Sequence, residues 1–210
     1  PTPPQGYTYY EDLPGALVGY LSANGTAMGL VNASHTSYRP VSGFGSGDLY
    51  GAAIVAFGPN AEASDPNAML ASLQFFNSGA PSLAFPAPWV GGSLTVTQTA
   101  HPKVTGLTRS DSDLQGYAIF LIPERLGGLY IAILSKAWLG SADSYALPDL
   151  SSQLNYTPLQ SGDSARFGVA ALLSNKTMSS ILTSINFTNL SLSGFAAGDY
   201  IRLAGASTTL

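Results

Sequence analysis

The chain of 210 residues has no cysteine. Disulfides, thiol nucleophiles and thiolate metal sites are therefore excluded, and packing and hydrogen bonding alone must hold the fold. Charge is almost as scarce: Asp, Glu, Lys and Arg make up 10% of the residues, against about 25% in an ordinary globular domain. Lysine occurs only at 103, 136 and 176, and no basic run exists. Nucleic-acid binding is not expected on that ground, because neutralising phosphates takes clustered Lys and Arg. Anionic membrane surfaces are disfavoured for the same reason. No apolar run approaches the length of about 18 residues that a membrane-spanning helix needs. The most apolar stretches, Gly116–Ile122 and Leu129–Leu134, have the length of strands. Few carboxylates also leave little proton-linked stability to lose in acid, so the chain is expected to tolerate low pH.

What is present is apolar and hydroxylated. Hydrophobic residues reach 45%, a level incompatible with disorder, which goes with few hydrophobes and much charge. Ser and Thr number 41. Six of the nine asparagines stand in N-x-[ST] triplets: Asn24, Asn32, Asn155, Asn175, Asn186 and Asn189. This Ser/Thr content would place roughly two of them there by chance. The excess predicts a chain N-glycosylated at many points and therefore exported. Asn155 is the weakest acceptor, since Pro158 follows its triplet. Sugars would supply the solubility that charges ordinarily give. The chain begins at Pro1, as expected where a leader has been removed or the start trimmed.

Short apolar runs alternate with Gly, Pro, Ser and Asp clusters. Strands are predicted near Ala16–Ser22, Ala27–Asn32, Leu49–Phe57, Ser82–Phe85, Ser93–Thr99, Tyr117–Pro123, Leu129–Ser135, Ala165–Leu173, Thr183–Leu192 and Tyr200–Leu203. A bulge between Thr188 and Asn189 reconciles the parity of the Ile185–Leu192 run. Arg125–Gly128 reads as a hairpin turn joining two buried strands. Two helices are predicted. One covers Asn67–Phe76, behind an Asp65 cap and Pro66; the other is a short turn in Asn175–Thr183, capped by Asn175 or Thr177. The Gly-rich stretch Arg39–Asp48 is the most flexible in character. Many short strands with turn signals every 8–12 residues predict an all-β chain, a single β-sandwich or jelly-roll-like domain over residues 15–210, preceded by a Pro-led extended tail over 1–14.

Residues with chemical potential are few. His35 and His101 offer formal general bases, but nothing resembles the nucleophile elbow of hydrolases. Ser110-Asp111-Ser112-Asp113 presents clustered oxygens suited to a loop calcium ion, without the glycine and terminal glutamate of an EF-hand. No other cofactor or metal is implied. Tyr7, Tyr9 and Tyr10 are the one aromatic cluster suited to a sugar platform, and Trp89 and Trp138 read as core or rim. Lys136, flanked by apolar residues, is the lysine best placed for a covalent crosslink.

The pattern points to a structural role without enzymatic activity. An exported sandwich with a strand-capable tail fits self-assembly by strand addition, in which one copy's tail completes a neighbour's open sheet. Such a contact is head-to-tail and propagates into a linear homopolymer. Tyr7, Thr8, Tyr9 and Tyr10 are the first choice of donor strand, and Ala16–Leu21 the second. In sequon density, absent cysteine, low charge and processed start, the chain resembles the secreted filament subunits of archaea, the Sulfolobus-type threads and related pili. That resemblance implies glycosylated β-sandwich subunits joined by donor-strand complementation into an extracellular, cell-surface filament for adhesion or cell–cell contact. The long apolar N-terminal helix of type IV pilins is lacking. The alternatives are a viral capsid or spike jelly roll, and a secreted hydrolase.

Overall fold

Residues 49–57 read Leu-Tyr-Gly-Ala-Ala-Ile-Val-Ala-Phe, and they form one nine-residue strand whose Tyr50, Ala52, Ile54 and Ala56 side chains all turn inward and are buried. The same logic builds the rest of the chain. The computed structural model describes residues 1–9, 15–23, 28–34, 37–58, 68–90, 93–97, 99–124, 129–149, 152, 159–160, 162–186 and 191–209.

In chain order the strands are β1 (Thr8–Tyr9), β2 (Leu17–Leu21), β3 (Met28–Leu30), β4 (Asn32–Ser34), β5 (Ser37–Tyr38), β6 (Leu49–Phe57), β7 (Ala68–Phe76), β8 (Thr95–Thr97), β9 (Lys103–Thr105), β10 (Leu114–Pro123) and β11 (Tyr130–Ser135). A helical turn α1 (Lys136–Leu139) leads to β12 (Ser144–Ala146) and β13 (Ala165–Ser174). After these come helix α2 (Met178–Ser184), the small pair β14 (Ile185–Asn186) and β15 (Ser191–Leu192), and the closing strand β16 (Tyr200–Thr209). One nine-stranded antiparallel sheet runs β11-β10-β13-β16-β7-β6-β2-β3, with β1 beside β6. A second, three-stranded sheet, β12-β9-β8, packs against it, so the chain is an all-β sandwich of unequal layers.

The core lies on one face of the large sheet. Tyr117, Ile119, Leu121, Phe167, Val169 and Leu70 are buried there with Val104 of β9. Each such aromatic or aliphatic side chain contributes about 1.5–3 kcal/mol by leaving water. The extended segment before β8 brings Trp89 onto the same face, where its indole N–H donates to the Ala204 carbonyl at 2.7 Å. Arg109 stacks on that indole at 5.1 Å and binds the Asp111 carboxylate with two N–H groups, at 2.8 and 3.1 Å. Its charge is thus neutralised although the side chain is 8% exposed. Gly106 has φ +93°, and a Cβ there would stand 1.8 Å from the Ser93 oxygen, so only glycine fits that crossing.

The opposite face is apolar too. Pairing register puts Ile122, Phe120, Ala118, Ile131, Ile133, Ala170, Leu203, Met69 and Val55 on it. At one end Leu192 and Phe195 cover Leu21, Leu49 and Phe75.

Three strand expectations need correction. Residues 68–76 are a strand between β16 and β6, where a helix over 67–76 was expected. Ala, Met, Leu and Gln favour helix locally, but a sheet that hydrogen-bonds both edges of the segment outweighs propensity. Ser82–Phe85, expected as a strand, forms none. Thr183–Leu192 splits into the end of α2 and the β14–β15 pair, and the bulge expected at 188–189 lies outside the described residues. Helix α2 does form where expected, and Thr177 caps it, its hydroxyl accepting from the Ser180 N–H at 3.2 Å. The turn at 125–128 also lies outside the described residues; the strands flanking it pair as a hairpin, but β11 is an edge strand and its outer side chains are exposed.

The Gly-rich stretch 39–48 is tied down. The Asp48 carboxylate accepts from the backbone N–H groups of Gly45 and Ala23 and from the Tyr20 hydroxyl, and these bonds hold its pKa below the usual carboxylate range. Phe44 stacks on Tyr50 with centroids 4.7 Å apart.

The two faces differ in a measurable way. Phe167→Ala on the inner face is expected to cost about 3–5 kcal/mol in denaturant unfolding. Ile131→Ala on the outer face of the same sheet is expected to cost under about 1 kcal/mol in dilute solution. Equal losses would contradict the assignment of the core to one face.

Candidate functional site: the N-terminal strand and the sheet edges

The tail is built from its own residues. The Tyr7 N–H donates to the Pro4 carbonyl at 2.9 Å, and Gly6 has φ +81°. This is a type II turn with glycine at the position that demands a positive φ. The turn sends the chain into β1, where Thr8 lies opposite Phe57 and Tyr9 opposite Ala56. Tyr7 packs on the main core and Tyr9 on Phe85, with ring centroids 5.9 Å apart. The Tyr9 hydroxyl donates to the Pro1 carbonyl, which folds the first residues back over the strand.

Tyr7, Thr8 and Tyr9, expected to be donor residues, are therefore placed on an edge of this same chain's sheet; Tyr10 lies outside the described residues. Strand β2, the second choice of donor, pairs with β6 on one side and β3 on the other. Both β1 and β2 run along one edge of β6, Leu17 lying opposite Ala53 and Tyr9 opposite Ala56. The segment 1–14, expected as a separate tail, thus contributes two residues to the sheet.

At the far side of the sheet, among the described residues, β11 pairs with β10 alone. Its sequence, Tyr-Ile-Ala-Ile-Leu-Ser, has no charge and no proline, the usual protections of an edge. Leu129, Ile131 and Ile133 are 54%, 52% and 44% exposed. Beside this edge a groove of about 580 Å³ opens, lined by Ile133, Trp138, Tyr145, Met178 and Leu182.

Of the sequons, Asn175 is exposed at the foot of β16. Its amide donates to the Gly198 carbonyl at 3.3 Å, and its side-chain oxygen accepts from the Tyr200 N–H at 3.1 Å. A sugar on Nδ2 would use one of the two amide hydrogens and leave the other for Gly198. The Asn32 and Asn186 backbones lie in β4 and β14. Asn24, Asn155 and Asn189 lie outside the described residues.

The remaining candidates are dispersed. His101 approaches Asp149 at 3.9 Å on the surface, and His35 is outside the described residues. Asp111 belongs to Arg109, whose guanidinium holds its carboxyl below the usual range. Asp113 accepts from the Tyr200 hydroxyl at 3.0 Å and lies 3.7 Å from Arg202. The two carboxylates suggested for calcium thus serve separate cations. Among the described residues no group of three or more His, Asp or Glu side chains is placed to hold a metal. Lys136, expected in an apolar setting, is exposed at the start of α1. No family model matches the chain, nor does any curated protein or solved structure.

Sequence reasoning did not find the β11 edge. Its signal was an apolar run with no charged residue, which reads equally as a buried strand.

Burial pushes the Tyr7 and Tyr9 phenols above the ordinary tyrosine value. A detached tail ionises near pH ~10, so the docked tail keeps its full stability below that pH and loses it as pH rises through the docked values. Proteolysis of the tail is expected to accelerate as pH rises above about 10, and Tyr7→Phe to reduce the acceleration. A cleavage rate flat across that range would contradict the docking.

Proposed function

We propose that this chain is a structural subunit of a glycosylated extracellular filament that polymerises head-to-tail by strand donation. The observation that carries the reading is the placement of β1: a strand at the start of the chain, on a sheet edge, held by two residue pairs. A neighbour's β1 can occupy the same edge of β6 in the same register, with Tyr7 and Tyr9 in the same positions. Exchange then replaces every contact within the chain by an identical one between chains, and because the contact is heterologous it leaves a free end at each step. Residues 10–14 reach at most about 18 Å when extended, so donor and acceptor bodies must touch directly.

Sequon density and scarce charge support an exported, sugar-coated surface, and a cysteine-free core held by packing suits a polymer that must persist outside the cell. Adhesion or contact between cells is the role such a filament would serve.

The experiment uses the absence of cysteine. In a Thr8→Cys/Phe57→Cys variant the only two thiols face each other across the β1–β6 pair. Oxidised under assembly conditions and run without reductant, it is expected to give a ladder of covalent multimers. Deletion of residues 1–12 is expected to leave folded protein that no longer polymerises. Oxidation that yields only internally bridged monomers, together with filaments from the deleted chain, would overturn the reading.

A further inference from the structure

The outer face of the large sheet has a bulky half and a small half. On β10 and β11 it carries Ile122, Phe120, Leu129, Ile131 and Ile133; on β13 and β16 it carries Gly168, Ala170, Gly205 and Ser207. Register aligns these in rows. One row reads Ile133, Ala118, Ala170, Gly205 and Met69; the next reads Ile131, Phe120, Gly168 and Ser207. Phe120 already leans over Gly168, its ring 3.7 Å from where a Cβ would stand. Gly205 is different. The three atoms nearest a Cβ there belong to its own sheet neighbours, Met69 and Val169, at 3.5–3.9 Å, and no positive φ requires glycine. A glycine inside a strand, with no described turn or crowding that requires it, suits a place where another chain approaches closely.

We infer that this face is the contact surface for a second copy of the chain, packed sheet on sheet about a two-fold axis that runs along the line between β10 and β13. That axis lays β11 of one copy over β16 of the other and β10 over β13. Ile133 then sits over the partner copy's small position at 205 and Ile131 over position 207, while the two Phe120 rings meet near the axis. Bulk faces hollow twice, as an isologous contact requires, at the spacing of about 10 Å that stacked sheets adopt.

Area and charge select the occupant. Six of the eight large apolar side chains exposed among the described residues, Ile122, Leu129, Ile131, Ile133, Trp138 and Leu182, fall on this face or along its β11 rim. They leave on the order of 600 Å² in solvent, at the top of the range for the largest patch on a monomer. Two copies together offer on the order of 1,200 Å², the size at which specific interfaces begin. Arg166 is the one charged residue among the described residues of the face, so it neither repels its own copy nor attracts a charged partner.

The contact is independent of strand donation, and its test separates the two. Sedimentation velocity of the full chain, with strand exchange blocked by an oxidised Thr8→Cys/Phe57→Cys bridge formed within the monomer at high dilution, from about 1 to 100 µM, is expected to show a monomer–dimer equilibrium. Gly205→Leu fills the hollow and is expected to weaken association at least about a hundredfold, with an unchanged circular dichroism spectrum and melting curve. Ile133→Ala in the same chain removes the opposing bulk and is expected to restore the dimer. Monomers throughout the range would overturn the inference. So would a Gly205→Leu chain that is folded and associates as tightly as the parent.

Discussion

A sheet that is apolar on both faces must be covered on both. The described part of this chain covers one. Nine strands pair edge to edge, and the three-stranded sheet with the Trp89 segment closes the inner face around Tyr117, Ile119 and Phe167. Among the described residues the outer face receives cover at one end, where Leu192 and Phe195 meet Phe75. The exposed apolar surface and the bare β11 edge both follow from this mismatch between the width of the sheet and the size of the second layer.

Scarcity of charge gives the mismatch its meaning. Proteins ordinarily guard edges and open faces with Lys, Glu or Pro. Among the described residues Lys136 follows β11, Pro123 ends β10, and Arg166 near the start of β13 is the one charged residue on the outer face. Other copies of the chain, covalent sugars, or both would cover what charge does not guard. The two proposed contacts differ in symmetry. The β1–β6 exchange would be heterologous and extend; the outer-face contact would be isologous and close. Together they would pair two growing threads side by side.

Where one face of a strand alternates with the other, or where β-branched and aromatic residues gather, the element was legible. Leu49–Phe57 and Tyr117–Pro123 lie in strands as expected. Ala68–Phe76 was misread because its residues favour helix one by one, and because a strand with apolar residues on both faces shows no alternation. The small residues of 204–207 hid the second half of β16, whose register comes from its neighbours β13 and β7. At the candidate site, the strand character of Thr8–Tyr9 could be read from composition. Its partner could not, since pairing with Phe57 and Ala56 joins positions almost fifty apart in the chain. The division of the outer face into bulky and small halves was hidden for the same reason: it exists only once β11, β10, β13 and β16 lie side by side.

Copies of this chain are proposed to cover what its described residues leave bare. Hydroxyl-radical footprinting of side chains, in dilute and in assembled protein, reads that coverage residue by residue. If copies cover this face, Ile131, Ile133 and Ile122 are labelled readily when dilute and become strongly protected on assembly, while Val90, 76% exposed and outside the outer-face rows, is labelled equally in both. Labelling of the three isoleucines that stays the same at every concentration would contradict it.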